Sequence, residues 1–443
     1  MKTIYALATP LGGAIAIIRI SGNKTLDALQ KIFTGEIAHS KVSYGKIVSG
    51  DCVLDHCMAV FFNAPKSFTG EDMAEVYIHA SRAVANSIFD LLSEYGLEPA
   101  CAGEFSKRAF VNGKMDLAQA EAVMDLLNSS AKRASASALM QLSGMLSKEI
   151  LEIEDSLVNI TAEICAAIDY PDEMEDYVPD FANELSSIRQ RIQTLITHGL
   201  RSRHIREGYY ITIVGKPNVG KSSLLNAITL EDRAIVTQIA GTTRDVIEAT
   251  ADFCGLSVIL YDTAGLRDSN DEVESIGIFR TRQMCEKSNM LFVAIDCSNP
   301  LTDEDIEVLN DVEKYQAQKV IVACKADLLN KKAREEFKRE IKKYNDYEVF
   351  FVSSKTNEGI NELKTQVAQI IAPSEESGII TNMRHIEALE KVHNAINAAI
   401  NSPEYDCRTT DIADALRALG EITGSTVEAN IVNRIFEKFC VGK

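Results

Sequence analysis

The chain has 443 residues, too many for one hydrophobic core, so two or three domains are expected, each large enough to bury a core of its own. With 46% hydrophobic and 25% charged residues it is not a disordered chain, and 46 basic against 64 acidic side chains give a net charge of -18, which excludes a protein that coats nucleic acid by itself. A local basic patch or a basic partner stays open. The ten cysteines contain no C-x-x-C pair and the seven histidines no H-E-x-x-H, so reduced thiols and no structural zinc are expected.

At the N-terminus, Pro10, Gly12 and Gly13 precede an apolar run that Arg19 closes too early for a signal peptide or a membrane span. A cytoplasmic protein with no membrane association is the expectation. Residues 1–115 alternate β-rich runs (Ala14–Ile20, Val60–Asn63, Glu75–His79) with a helical stretch, Ala83–Tyr95, and read as a small α/β domain. In residues 116–206 prolines and glycines are scarce, so long helices are predicted. There Ile150, Ile153, Leu157, Ile160 and Ile164 keep the spacing of a helix-on-helix seam, which is core rather than a cofactor site.

From Tyr209 the pattern changes to YYITIVG, VIEATADFC, SVILYD, NMLFVAID, KVIVAC and EVFFVS alternating with helical segments, the signature of a mostly parallel sheet covered by helices. This unit spans 207–373 and ends at a linker, PSEESG. Residues 374–443 return to helix at Asn382–Ile400 and Asp411–Phe439. The predicted fold is multidomain, α/β plus all-α, with the α/β unit inserted into a helical domain whose two parts flank it.

Within the inserted unit, Gly215–Ser222 reads GKPNVGKS, a phosphate-binding loop between a predicted strand and a helix. Its backbone N–H groups (Asn218, Val219, Gly220) would cradle phosphates, Lys221 would reach the β- and γ-phosphates, and Ser222, followed by Ser223, would coordinate Mg2+. Asp262-Thr263-Ala264-Gly265 ends a hydrophobic strand, where the Asp can hold Mg2+ through water and the Gly amide can sense a γ-phosphate. Gly241-Thr242-Thr243 lies between them, where a switch threonine completes the metal shell. Cys324-Lys325-Ala326-Asp327 and Ser353-Ser354-Lys355 follow two further strands and look like the guanine-reading loops of a GTPase. Two departures stand out: Cys324 replaces the usual Asn, and Leu266 occupies the place where a Ras-like protein has its water-orienting Gln.

Taken with GEFSKRAFVNGKMDLAQAEAV (Gly103–Val123), AIVTQIAGTTRDV, DTAGLRDSNDEVESIGI and a terminal FCVGK, these motifs resemble the tRNA-modification GTPase family MnmE (TrmE) along the whole chain. The resemblance implies an N-terminal folate-binding domain, a helical domain and an inserted Ras-like P-loop GTPase domain. It implies GTPase domains that pair across a homodimer, itself formed through the N-terminal domain, with K+ held by Asn218, Thr237, Ile239 and Thr242 in a nucleotide-contacting segment that includes Gln238 and Ala240. It also implies Mg2+ on Ser222 and Thr243, and Glu274 as the group that positions or activates water in place of the missing Gln. Arg19, Glu75, Lys114 and Lys443 match contacts to 5-formyltetrahydrofolate. His79-Ala80-Ser81 and a shortened ATPLGGAIAIIR depart from the family pattern.

By residue type alone, Arg19, Glu75 and Lys114 would be solvated surface charges, and Glu274 sits in an acidic run, DSNDEVE, that would otherwise read as a solvated loop. The family acts with an FAD-carrying flavoprotein, MnmG (GidA), in a heterotetramer that installs a carboxymethylaminomethyl or aminomethyl group on C5 of a tRNA wobble uridine. Alternatives are a GTPase switch in ribosome assembly and a folate-dependent aminomethyltransferase acting alone. The end of the chain, Cys440-Val441-Gly442-Lys443, is not a prenylation box, because Gly442 is not aliphatic and Lys443 is not an accepted last residue. Its cysteine is either a packing residue beside Phe436 and Phe439 or, as the resemblance implies, a functional thiol.

Overall fold

The computed structural model describes residues 2–170, 181–230, 247–262, 281–372, 378–402 and 404–442, which fall into two compact units. The first comprises Met1–Leu127, Met140–Gln193 and Glu387–Lys443, and the second Asn128–Leu139 and Thr194–Ile386. Among the described residues no helix is long and apolar enough to cross a membrane.

The first unit holds a 6-stranded sheet made of β1 (Ile4–Leu7), β2 (Ile15–Ser21), β3 (Ser43–Ser49), β4 (Cys52–Phe62), β5 (Met73–His79) and β6 (Glu98–Pro99), in the order β3-β4-β5-β2-β1-β6. All neighbours are antiparallel except the short β6, which runs parallel to β1. Alternate residues such as Ala16, Ile18, Ile20, Val76 and Ile78 point to one face and bury it with Leu29, Ile32, Ile88 and Leu92 of the helices Thr25–Ile32 and Arg82–Glu94. The other face carries Arg19, Glu75 and Tyr77, partly exposed.

The helical part of the first unit is built on the 25-residue helix Met145–Asp169, whose Ile150, Ile153, Leu157 and Ile164 are fully buried and Ile160 is 3% exposed. Arg191 of the helix Phe181–Glu207 ties to it through Glu149 and Glu152, each at 2.6 Å. The expected helix over Asp411–Phe439 is in fact two, Tyr405–Thr423 and Ala429–Phe436. Gly424 ends the first of them with a left-handed φ of 91°, and a Cβ there would meet the Leu117 side chain at 2.8 Å.

The second unit holds β7 (Tyr209–Val214), β8 (Ile247–Phe253), β9 (Leu256–Asp262), β10 (Met290–Asp296), β11 (Gln318–Cys324) and β12 (Val349–Phe351), ordered β12-β11-β10-β7-β9-β8. Every pairing is parallel except the β8–β9 hairpin. Along β10, Met290, Phe292 and Ala294 enter one core while Leu291, Val293 and Ile295 enter another, so the strand is covered on both faces. That is why its sequence is a continuous apolar run.

Candidate functional site

Strand β7 delivers the chain to Gly215, whose φ of 152° and neighbour Ala294 leave no room for a side chain, since a Cβ would lie 2.4 Å from the Ala294 carbonyl oxygen. Asn218 adopts φ 63° and Gly220 φ 107°, which turns successive peptide N–H groups inward before the helix Lys221–Leu230 begins. Lys221 is 7% exposed and bends back over the loop, its Nζ donating to the carbonyls of Gly215 and Lys216 at 2.9 Å each. Val219 is buried beneath, whereas Asn218, Ser222 and Ser223 face solvent. A second lysine, Lys216, pairs with Asp305 at 2.6 Å and is spoken for.

Asp262 ends β9 and is fully buried, and its register partner Ile213 places it beside the strand that leads into the loop. An inward-turned amide cradle, a buried ammonium, an accessible serine hydroxyl and a buried carboxylate form a donor set of hard oxygens and N–H groups. Such a set fits a polyphosphate with Mg2+. Of the residues expected here, Thr237, Gln238, Ile239, Ala240, Gly241, Thr242, Thr243, Thr263, Ala264, Gly265 and Glu274 lie outside the described residues.

The two loops expected to read the base come together at the ends of β11 and β12. Ala326 N–H donates to the Val352 carbonyl at 3.0 Å and Val352 N–H to Ala323 at 2.9 Å, fixing one loop against the other. Lys325 takes a left-handed φ of 63°, and its Nζ bonds Asp296 at 2.6 Å. Burial raises the Asp296 carboxyl, but its bonds from Lys325 and Ser298 outweigh that and leave its pKa below the ordinary value. Asp327 and Lys355 are exposed, Ser354 half-buried and Ser353 fully buried, its Oγ accepting from Thr356 N–H at 3.3 Å. Cys324 is 2% exposed, and its Cβ lies 4.0 Å from the position a Cβ would occupy on Gly220. Burial pushes its thiol up to about 12, so it is a neutral thiol at working pH.

A second constellation occupies the other face of the N-terminal sheet, where Arg19 and Glu75 are half-buried. Arg19 and Glu75 are register partners on β2 and β5, and the guanidinium donates twice to Glu75 Oε1, at 3.0 and 2.7 Å. The other oxygen of Glu75 accepts the Tyr77 hydroxyl at 3.1 Å; burial, then the Glu75 charge, raises that phenol's pKa. Rings of Phe68 and Phe105 lie 5.5 and 5.8 Å from the Arg19 guanidinium carbon. The C-terminal tail arrives at the same place: Arg19 Nη1 donates to the Gly442 carbonyl at 3.1 Å, Gly103 N–H donates to the Cys440 carbonyl at 3.3 Å, and Ala102 forms an antiparallel bridge with Val441.

Phe436 and Phe439 are buried, whereas Cys440 is exposed. Lys114 is exposed and bonds the Pro65 carbonyl at 3.0 Å, at the edge of the loop that carries Phe68, while Lys443 lies outside the described residues. The expected residues therefore assemble as far as Arg19, Glu75 and the tail. Tyr77, Phe68 and Phe105 belong to the same place and were not anticipated as site residues; Tyr77, inside the Glu75–His79 run, and Phe105, inside GEFSKRAF, lay in segments already singled out, and Phe68 did not.

Comparison with known proteins bears on the whole chain. Residues 3–114 match the family model described as the GTP-binding protein TrmE N-terminus, and residues 117–440 match that of the MnmE helical domain. The sequence is 38% identical over 460 residues to the tRNA modification GTPase MnmE of Natranaerobius thermophilus, covering 100% of this chain and 99% of that one. Identity to the tRNA modification GTPase MnmE of Alkaliphilus oremlandii is 36% over 461 residues, again with 100% and 99% coverage, and to that of Finegoldia magna 34% over 456 residues, with 99% of each chain covered. With a TrmE N-terminal α/β domain, a helical domain and a P-loop unit in one chain, and relatives of this identity along its whole length, the chain belongs to the MnmE family of tRNA modification GTPases.

Proposed function

We propose that this protein is a K+-stimulated GTPase that acts with a flavoprotein partner of the MnmG (GidA) kind to modify C5 of a tRNA wobble uridine, using a tetrahydrofolate one-carbon unit. The observation that carries the reading is the seating of the C-terminal Cys440–Gly442 tail on the Arg19–Glu75 pair, in a chain that also holds a formed phosphate loop. A ribosome-assembly switch needs the loop but has no use for the rest.

In the GTPase part, Lys221 and the amides of Asn218, Val219 and Gly220 would hold phosphate oxygens, and Ser222, Thr243 and Asp262 would hold Mg2+. Mg2+ supplies charge neutralisation on the transferring phosphate. Asn218, Thr237, Ile239 and Thr242 hold K+, and Glu274 orients the attacking water. Asp327 accepts the N–H groups of guanine while Ser353, Ser354 and Lys355 close the far side of the base.

In the N-terminal part, the Arg19 guanidinium, the Glu75 carboxylate and the Tyr77 phenol present donors and acceptors that fit a flat heterocycle with N–H and carbonyl groups on its rim, as in a reduced folate. Lys114 and Lys443 complete that pocket in this reading, and the homodimer forms through this domain. The folate supplies the carbon, and the exposed Cys440 thiol stands at the edge of the site. The deciding experiment is tRNA modification by the chain with and without the flavoprotein. Modification that requires both proteins, GTP and the folate supports the reading; modification by this chain alone would replace it with a one-protein aminomethyltransferase, and none under any condition would leave the ribosome-assembly alternative.

A further inference from the structure

The helix Glu104–Val111 contains a buried arginine that the expected site residues do not include. Arg108 is 5% exposed, and its guanidinium bridges two carboxylates: Nη1 donates to Glu71 Oε2 at 2.9 Å and Nη2 to Glu104 Oε1 at 2.7 Å. A charge this far from water is tolerated only when paired, and its removal leaves two carboxylates facing one another. Glu71 Oε2 also accepts the Ser21 hydroxyl at 2.8 Å, Ser21 and Thr69 hydroxyls are 2.7 Å apart, and Asn112 donates to the Thr69 carbonyl at 2.7 Å. The segment Phe68–Glu71 is thereby clamped between β2 and the helix that carries Arg108.

What is clamped borders the Arg19–Glu75 site on two sides. Phe68 comes from the held segment and Phe105 from the helix itself, and both rings lie within 6 Å of the Arg19 guanidinium carbon. The start of the helix, at Ala102 and Gly103, is the edge that receives the tail. We infer that Arg108 is a positioning residue for this site: by bridging Glu71 and Glu104 it keeps Phe68 and Phe105 on the Arg19 guanidinium and keeps the Ala102–Gly103 edge where the tail can dock. The inference rests on the folate reading of the site, so its test includes a readout that needs no folate.

Wild type is compared with Arg108→Met, which keeps the bulk and removes the charge, and with Arg108→Lys, whose point charge cannot span both carboxylates in a fixed fork. Four measurements are made on the full chain: calorimetric binding of 5-formyltetrahydrofolate, hydrogen exchange of the peptides covering Ala102–Gly103 and Phe439–Gly442, GTP hydrolysis, and thermal unfolding. Arg108→Met is expected to weaken folate binding by about tenfold or more, the scale of a lost hydrogen-bonded charge, and to speed exchange in both peptides while GTP hydrolysis is unchanged. Arg108→Lys falls between. Should Arg108→Met fail to fold, Arg108→Lys and Glu71→Gln carry the same readouts. Wild-type affinity and wild-type exchange in a folded variant would overturn the inference, and so would a lower unfolding temperature with both readouts unmoved, since that marks a purely structural role. If wild type itself binds no reduced folate, the folate reading fails, and the exchange data alone decide what Arg108 does.

Discussion

At Asp327 and Cys324 the same loop sets two different requirements. Asp327 is exposed at the mouth of a loop that Lys325, the Ala326 amide and Val352 hold in place, so a substitution there changes what the loop reads without disturbing how it is held. Asp327→Asn presents a donor where guanine presents donors, and competition binding should show preference moving from GTP toward xanthosine triphosphate. Cys324 is enclosed: its Sγ bonds the Val322 carbonyl at 3.6 Å, a weak interaction, and it lies next to Gly220 of the phosphate loop. Cys324→Asn would add an amide able to tie the two loops together, and GTP affinity measured by a fluorescent analogue should tighten by a few-fold, about 1 kcal/mol for one added hydrogen bond. A clear weakening would show that the buried volume beside Gly220 cannot accept the larger side chain.

Whole elements were legible where a local pattern carries the physics. The Ile150–Ile164 seam and the NMLFVAID strand announce one-sided and two-sided burial through spacing alone, and both are buried as read. β1, β3 and β6 were missed because their order comes from pairing with distant strands; β6 has only two residues and exists through its bonds to β1. The break at Gly424 was missed because one glycine within a helical pattern does not announce a left-handed cap. The meeting of helix Glu104–Val111 with the end of helix Ala429–Phe436 was equally hidden, since it joins segments far apart in the chain. Gly103 makes that meeting possible: its φ is 64°, and a Cβ would lie 2.4 Å from the Phe436 carbonyl oxygen and 2.9 Å from Phe439 Cβ. Gly103→Ala should cost about 1–2 kcal/mol from the backbone conformation alone and more from the overlap. Thermal unfolding should fall accordingly, with faster exchange at Phe439–Gly442.

On the scale of the molecule, the GTPase chemistry and the tail chemistry belong to different compact units, so they should separate experimentally. Hydrolysis should run markedly faster in KCl than in NaCl at equal ionic strength, which removes general screening as the cause; equal rates would dismiss K+ from the mechanism. The tail is tested by Cys440→Ser and by deletion of Val441–Lys443. Cys440 keeps its backbone bond to Gly103 whatever its side chain, and its exposed thiol supports no core, so the serine variant should fold, dock its tail and hydrolyse GTP as the wild type does. If the thiol has the chemical role proposed for it, the variant loses that role, because a hydroxyl at neutral pH is a far poorer nucleophile than a thiol. Modification of tRNA, followed by nucleoside mass spectrometry with the flavoprotein present, should therefore fall to background. The deletion acts differently. It removes the Gly442 carbonyl from Arg19 and the Val441 bridge from Ala102, so folate binding should weaken while GTP hydrolysis stays intact. A serine variant that modifies tRNA at the wild-type rate, beside a deletion that abolishes modification, would make the tail a docking strap and leave its cysteine without a chemical role.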